Sequence, residues 1–259
     1  MSAGPDVDPR ATVKPGGSED DPRELVESAR REGRVSFLGV ELCVAPGALV
    51  PRPETELLGR TALQALANMP PGADGTLRVI DMCCGSGNLA CALAAGDPRL
   101  RVLAADVTDD CVALARKNAV GVGVQDRVCV YQGDLFAALP AAQTAGGIDL
   151  IVCNPPYIST GRLAKDRAVL LEREPVEAFD GGPYGISVHQ RVIRDAPSVL
   201  RAGGKLLFEI GIGQERQLRL LFNRSDTFSD LSFVADAGGR PRVAMATRAL
   251  PLPQKESTP

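Results

Sequence analysis

From residue 77 onward the chain repeats one pattern: a short apolar run, a turn, then a stretch with helical spacing. The apolar runs are LRVIDM, RVLAADV, RVCVYQG, IDLIVCN and GKLLFEI. Their interiors are nearly continuous hydrophobic residues, a composition that suits strands buried on both faces. Helical patterns at NLACALAAG, DDCVALARKNA and GISVHQRVIRDAPSVL lie between them. Parallel strands need such crossovers, because a tight turn returns the chain antiparallel. The alternation therefore predicts an α/β fold with a parallel sheet covered on both sides. QERQLRLLFN adds a helix, and LSFVADAGGRPRVAMATR closes the pattern as two strands around a Gly-Gly-Arg-Pro turn. Those strands predict an antiparallel edge strand on a mostly parallel, seven-stranded sheet.

The segments before residue 77 are of another kind. Residues 1–21 are rich in Pro, Gly, Asp and Ser and predict a disordered tail. Residues 22–70 form a reduced helix and hairpin appendage. Asp21, Pro22 and Gly33 cap, start and end a short helix, and VSFLGVELCVAPGALVP alternates as a strand pair. PETELLGRTALQALANM follows as a helix that PPGADG stops. Residues 71–250 are the main domain and 251–259 a tail.

Composition excludes several function classes. A net charge of −3 leaves no electrostatic footprint for nucleic acid. The seven Cys include no C-x-x-C pair and mostly sit in apolar runs, which suits buried thiols rather than disulfides or zinc. With one His, His189, read as an ordinary helix residue, neither a His-based metal site nor a Ser-His-Asp triad can be assembled. No metal is expected. No apolar run reaches membrane-spanning length, and the acidic, Pro-bearing start is unlike a signal peptide, so the expected location is cytoplasmic, away from membranes.

Three strand ends carry residues that fit a nucleoside. In VIDMCCGSGNLACALA, Gly85 and Gly87 allow a turn that a ligand can approach closely, and a helix begins just beyond it. Asp106 ends the next strand, where an acid meets ribose hydroxyls in doubly wound folds. Asp134 ends the third beside Leu135 and Phe136, an acceptor next to an apolar wall for a base. Each has a plainer reading as a tight turn, a helix cap or a turn residue. Their shared position at successive strand ends favours a ligand crevice.

The fourth strand runs into IDLIVCNPPYIST. If the first and fourth strands are neighbours, Asn154 opens onto the same carboxyl-end crevice as the Gly85–Gly87 turn. Pro155 and Pro156 stiffen the backbone behind it. Alone, this could be a strand-ending turn.

The first turn, Asp81-Met-Cys83-Cys-Gly85-Ser-Gly87, resembles the D-x-G-x-G-x-G motif of Rossmann-like class I methyltransferases, with Cys83 in place of the first glycine. Asn154-Pro155-Pro156-Tyr157 resembles the NPPY signature of enzymes that methylate planar nitrogens. LVPRPETELL, EREPVEAFDGGPYG and LRAGGKLLFEIGIGQ extend the likeness, over about residues 35–248, to the HemK/PrmC family of protein-glutamine N-methyltransferases. The resemblance implies S-adenosyl-L-methionine as donor, leaving S-adenosyl-L-homocysteine, with Asp81, Cys83, Gly85, Gly87, Asp106, Asp134, Leu135 and Asn154 around it. It implies that the Asn154 side-chain oxygen and Pro155 carbonyl accept both N–H bonds of an NH2 group, that Pro156 fixes the loop and that Tyr157 packs on the flat group. Arg52, Thr55 and Glu56 would lie beside the donor and substrate, and Glu174, Pro175 and Asp180–Gly182 beside the target nitrogen.

The chemistry is coherent. An amide nitrogen is a weak nucleophile because its lone pair is delocalised, and two acceptors both orient it and stabilise the charge it develops. Orientation can supply roughly 7–11 kcal/mol in favourable cases.

Members of the family that act on release factors carry an N-terminal helical domain, whereas one short helix is expected here. A free amino acid or another amide or guanidine metabolite is thus an alternative to a protein glutamine. Glu54, Glu56, Glu172 and Glu174 are candidates to pair a guanidinium. A DNA methyltransferase is disfavoured by the acidic charge, and a non-catalytic cofactor-binding module by the intact NPPY.

Overall fold

The computed structural model describes residues 22–144, 147–164 and 178–250. Helix α1 (Pro22–Glu32) starts on its proline and ends at Gly33, whose φ of 69° is the left-handed value glycine accepts most readily. Strands β1 (Arg34–Phe37) and β2 (Val40–Cys43) form an antiparallel hairpin. A 3-10 turn at Pro53–Thr55 leads into α2 (Glu56–Ala67). The alternating part follows as β3 (Leu77–Met82), α3 (Asn88–Gly96), β4 (Leu100–Asp106), α4 (Asp109–Val122) and β5 (Val128–Gln132). Then come β6 (Ile148–Cys153), a helix at Ser187–Asp195, β7 (Leu200–Glu209), a helix at Glu215–Asn223, β8 (Phe228–Ala235) and β9 (Pro241–Arg248).

The main sheet has seven strands in the order β5-β4-β3-β6-β7-β9-β8, parallel through β7. The closing hairpin supplies the antiparallel part, as expected. However, the antiparallel strand β9 lies one place in from the edge, between β7 and β8, and β8 is the edge. The burial patterns explain this order. Val243, Ala244 and Ala246 of β9 are buried, whereas β8 has no fully buried residue. The more apolar strand takes the covered position.

Successive residues of the central strands feed two separate cores. Val79, Leu150, Val152 and Leu207 pack with α2, α3 and α4 on one face. Ile80, Ile151, Cys153 and Phe208 pack with the two later helices on the other. Each such side chain contributes about 1.5–3 kcal/mol when fully buried. Phe37, Leu42, Leu58, Ala62 and Leu66 join the first core, so residues 22–70 share the main domain's interior.

Two boundaries differ from expectation. The later helix stops at Asp195 and tightens into a 3-10 turn around Pro197, which cannot continue the ladder. Strand β7 begins at Leu200, with Gly204 lying so close to β6 that a Cβ would stand 3.1 Å from the Asp149 carbonyl oxygen.

This topology places the site. The order reverses between β3, which leads outward to β4 and β5, and β6, which begins the other half. The crevice of such a sheet opens at the carboxyl ends of those two strands. Met82 and Cys153 are register partners, so the turn after β3 and the loop after β6 leave the sheet side by side.

Candidate active site

The turn after β3 is held by a backbone bond within it, by bonds to the end of β4 and by Asn118 of α4, which donates to the Ser86 carbonyl. The Cys84 amide donates to the Ala105 carbonyl at 3.0 Å and the Gly87 amide to the Cys84 carbonyl at 2.8 Å. Cys83, Gly85 and Gly87 have φ values of 59°, 53° and 75°. Cys83, standing where the motif has glycine, therefore adopts the left-handed backbone itself, at a cost of roughly 1–2 kcal/mol. Gly87 is required for packing as well, since a Cβ there would stand 2.9 Å from the Ala115 Cβ of α4. Gly85 is different: a Cβ would meet no protein atom within 4 Å, so the space beside it is open.

Asp106, at the end of β4, faces this turn. Its Oδ2 accepts the Gly85 amide at 2.9 Å, and its Oδ1 accepts the Thr108 amide at 3.2 Å and hydroxyl at 3.3 Å. Asp81 lies beneath, where its Oδ2 accepts the Ala90 amide of α3 at 2.9 Å and its Oδ1 has no partner. Burial, with a smaller contribution from the neighbouring Asp106, raises its pKa to about 7. Asp134 pairs with Arg191 at 2.6 Å, and Leu135 takes a φ of 51° with its side chain buried.

A single cavity collects these groups. Cys83, Gly85, Asp106, Val107, Asp134 and Leu135 line one part of its wall, and Arg52, Thr55, Asn154 and Pro156 line another.

The loop after β6 is held by side chains from distant segments. The Asn154 Nδ2 donates to the Thr55 Oγ1 at 3.2 Å. In this arrangement the NH2 end of the amide lies toward Thr55 and the oxygen end lies away from it. The Tyr157 hydroxyl donates to the Glu209 Oε1 at 3.2 Å, and the Tyr157 carbonyl accepts the Gln214 Nε2 at 3.0 Å. Gln214 spends its second amide hydrogen on the Gly185 carbonyl at 3.0 Å and accepts the Gly211 amide at 2.7 Å. The Asp180–Gly185 loop runs alongside. Ile158 and Asp180 form a bridge, and a Cβ on Gly185 would stand 2.4 Å from the Tyr157 carbonyl oxygen.

The buried titratable groups here are not nucleophiles. Burial pushes the Cys84 and Cys153 thiols well up and those of Cys91 and Cys111 to about 12. The Tyr157 phenol is raised by burial and by the Glu209 carboxylate. His189 is completely buried, with its Nε2 3.2 Å from the Glu209 backbone carbonyl, and burial lowers its pKa to about 4.

The structure thus brings Cys83, Gly85, Asp106, Asp134, Leu135, Arg52, Thr55, Asn154 and Pro156 to one cavity. Several expected positions fall elsewhere. Asp81 and Gly87 shape the turn from below and behind. The side chains of Pro155 and Tyr157 do not line the cavity, although the two residues flank Pro156, which does. Glu56 is turned away from it: its Oε1 accepts the Leu38 amide at 3.0 Å and its Oε2 pairs with Arg60. A carboxylate at the start of α2 can satisfy backbone and an i+4 arginine at once, and these outcompete the cavity. Glu172, Glu174 and Pro175 lie outside the described residues.

Sequence reading missed Glu209, Gln214, Arg242 and Asn118. Asn118 of α4 bonds both backbone groups of Cys43 and the Ser86 carbonyl, tying the N-terminal hairpin to the turn after β3. Glu209 and Gln214 stood in the quoted run FEIGIGQ. An acid at the end of an apolar strand was the available signal for a buried polar role.

Comparison with known proteins adds the following. The Methyltransferase small domain family model matches residues 61–172. The chain is 35% identical over 211 residues to the release factor glutamine methyltransferase of Geobacter sulfurreducens, spanning 82% of this chain and 69% of that protein. It is 34% identical over 200 residues to the 4-amino-L-phenylalanine/4-methylamino-L-phenylalanine methyltransferase of Streptomyces pristinaespiralis, spanning 77% of this chain and 66% of that one. The crystal structure of the ribosomal protein L11 methylase of Lactobacillus delbrueckii subsp. bulgaricus aligns with a TM-score of 0.54 at 20% identity, over 79% of this chain and 82% of that one, a likeness of fold.

Proposed function

The chain belongs to the release factor glutamine methyltransferase family, and on that premise we propose that it transfers a methyl group from S-adenosyl-L-methionine to the side-chain amide nitrogen of a glutamine in a protein. The carrying observation is the placement of Asn154 on the cavity wall with its NH2 end toward Thr55. Its remaining oxygen is the acceptor that a target NH2 requires. The Pro155 carbonyl is the second acceptor, and the two prolines hold it in place because their φ angles cannot turn.

The donor site is tested by its own groups. The open space beside Gly85 admits a ligand close to the backbone. Asp106 has lone pairs beyond those used by Gly85 and Thr108, enough to accept ribose hydroxyls. Asp81, with an unpartnered buried oxygen, lies under a turn where a cationic ligand would offset its burial. Cys83, Gly85, Asp106, Asp134 and Leu135 would hold S-adenosyl-L-methionine, which supplies an activated methyl group when bound. The chain's own part is to orient the nitrogen, accept its N–H bonds and exclude water. No side chain needs to act as a strong base, because an amide nitrogen enters neutral. We assign residues 71–250 as the methyltransferase domain.

A second reading has one observation in its favour, the similarity to an enzyme named for an amino-phenylalanine substrate. A free aromatic or aliphatic amino acid bearing a planar NH2 would use the same two acceptors. Incubating the purified protein with methyl-labelled donor and, separately, a class I release factor, 4-amino-L-phenylalanine, free glutamine and free arginine separates these readings. Label on a release-factor glutamine supports the first and label on a small amino acid the second. No transfer to any of them, with donor bound, would defeat both.

A further inference from the structure

We infer that Arg191 is a specificity-determining residue for the methyl donor: paired with Asp134 on the cavity wall, it sets a hydrogen-bond donor beside an acceptor and so selects an adenine base. The inference rests on S-adenosyl-L-methionine as the proposed donor, and it concerns residues that the methyl-accepting side does not use.

The pair joins the two halves of the sheet. Asp134 follows β5, on the side of β3 and β4, whereas Arg191 belongs to the helix Ser187–Asp195 that follows β6. The Arg191 Nη2 donates to the Asp134 Oδ2 at 2.6 Å, a contact between positions 57 residues apart, and both residues line the cavity. Each brings an apolar neighbour to the wall. Leu135 adjoins Asp134, and Val188 lies three residues before Arg191, on the same face of its helix. Apolar walls with a few polar groups at the edge suit a flat heterocycle.

Both partners pass over nearer choices. Asp134 stands at the start of the 3-10 turn Leu135–Ala138, where an Asp side chain ordinarily accepts a backbone amide, yet it makes no such bond. Leu135 beside it takes a φ of 51°, a left-handed backbone that residues other than glycine seldom adopt. Arg191 has Asp195 four residues on, the spacing at which helical ion pairs form, but Asp195 pairs with Arg194 at 2.7 Å instead. Stability does not account for the longer reach. The Arg191 and Asp134 side chains are 44% and 60% exposed, and ion pairs in water contribute little.

Their chemistry does fit a base. A carboxylate only accepts and a guanidinium only donates. With Oδ2 given to Arg191, the Asp134 Oδ1 has no partner among the described residues, and the guanidinium keeps further N–H groups to donate. Adenine presents an amino group beside a bare ring nitrogen, a donor next to an acceptor. The pair offers the complement. Hypoxanthine carries an oxygen where adenine has its amino group, which would set acceptor against acceptor at Asp134. A base seated there excludes water, and that strengthens every charge-assisted bond it makes.

Calorimetric titration with S-adenosyl-L-homocysteine and S-inosyl-L-homocysteine, which differ only in the base, reads the assignment without any methyl transfer. Wild-type protein should bind the adenosyl compound about tenfold more tightly than the inosyl one. Arg191→Ala should lose about tenfold in affinity for the adenosyl compound and less than about twofold for the inosyl one, so that the preference disappears. Asp134→Ala should behave alike, and the double variant should bind no more weakly than the weaker single, because each residue acts through the other. Thermal midpoints should stay within about 2 °C of wild type, as an exposed pair requires.

Equal weakening toward both compounds would mark the pair as a structural clasp and overturn the assignment. So would a wild type indifferent to the base, unchanged adenosyl affinity in Arg191→Ala, or losses that multiply in the double variant. A preference that collapses as expected, with no acceptor methylated by the wild type, would leave Arg191 assigned and defeat the proposed function instead. Failure of the wild type to bind S-adenosyl-L-homocysteine would defeat both.

Discussion

The two turns that face each other across the cavity are built by opposite means. The turn after β3 is fixed chiefly by its own backbone angles and the strand and helix beside it, with one remote tie from Asn118 to the Ser86 carbonyl. Left-handed backbone at Cys83, Gly85 and Gly87 shapes it, and the ends of β4 and α3 brace it. The loop after β6 owes its conformation to Thr55, Glu209, Gln214 and Gly185, none of them adjacent in sequence. A donor cofactor is the same for every enzyme that uses it, so its cradle can be a short repeating motif. The acceptor differs between relatives, and a loop held by remote side chains can be retuned without disturbing the cradle.

That contrast can be broken by experiment. The largest effect is expected from Asn154→Ala, about a hundredfold in kcat with donor Kd within twofold, because it removes one preorganised acceptor and nothing of the cradle. Calorimetric titration with S-adenosyl-L-methionine beside steady-state kinetics measures both, and equal loss of donor binding would contradict the division.

Next in size is a pH effect that should have opposite sign on the two sides. His189, behind the acceptor loop, has a folded pKa of about 4 against 6.5 unfolded. Its contribution is complete above pH 6.5 and disappears as the pH falls toward 4. Asp81, under the donor turn, has a folded pKa of about 7 against 3.8. Its contribution is complete below pH 3.8 and is lost as the pH rises through 7. Between pH 7 and pH 5 each changes stability by about 2 kcal/mol, in opposite directions. Denaturation of His189→Phe should show stability rising as the pH falls, and Asp81→Asn the reverse. Parallel slopes in the two variants would refute the assignment.

Asp106→Ala should weaken donor binding about tenfold, with turnover at saturating donor changed less than about threefold. Unaltered donor affinity would remove Asp106 from the cradle. The smallest effect is expected for Gln214→Ala, about a fivefold loss of kcat as Tyr157 and Gly185 lose their common partner. Hydrogen exchange should quicken at Ile158 and Thr160 while Gly85 and Gly87 stay protected. Equal exposure on both sides would show that the two turns are not independent.

Much of the turn after β3 was legible in the residues. Gly85 and Gly87 between a strand and a helix announce a left-handed turn, and acids at the next two strand ends mark the crevice. The role of Asp81 was not, because nothing in the local sequence shows that its carboxylate turns inward to Ala90 rather than toward the cavity. Glu56 was misplaced for a related reason: its partners, Leu38 and Arg60, become available only after the hairpin folds over α2. His189 lay in an unremarkable helix pattern, yet the fold puts it at zero exposure against Phe208, with ring centroids 4.9 Å apart.

The sequence by itself determined the strand-helix order, the left-handed turn and the stiff Asn-Pro-Pro-Tyr corner. These follow from hydrophobic periodicity and from backbone angles that act over a few residues. Only the tertiary structure decided that β9 enters the sheet inside β8, that Thr55 meets Asn154 across the cavity, and that a buried carboxylate stands behind them. Those outcomes depend on which surfaces are covered and which polar groups are left to satisfy one another. Burial makes such choices, and it is not defined until the chain has closed on itself.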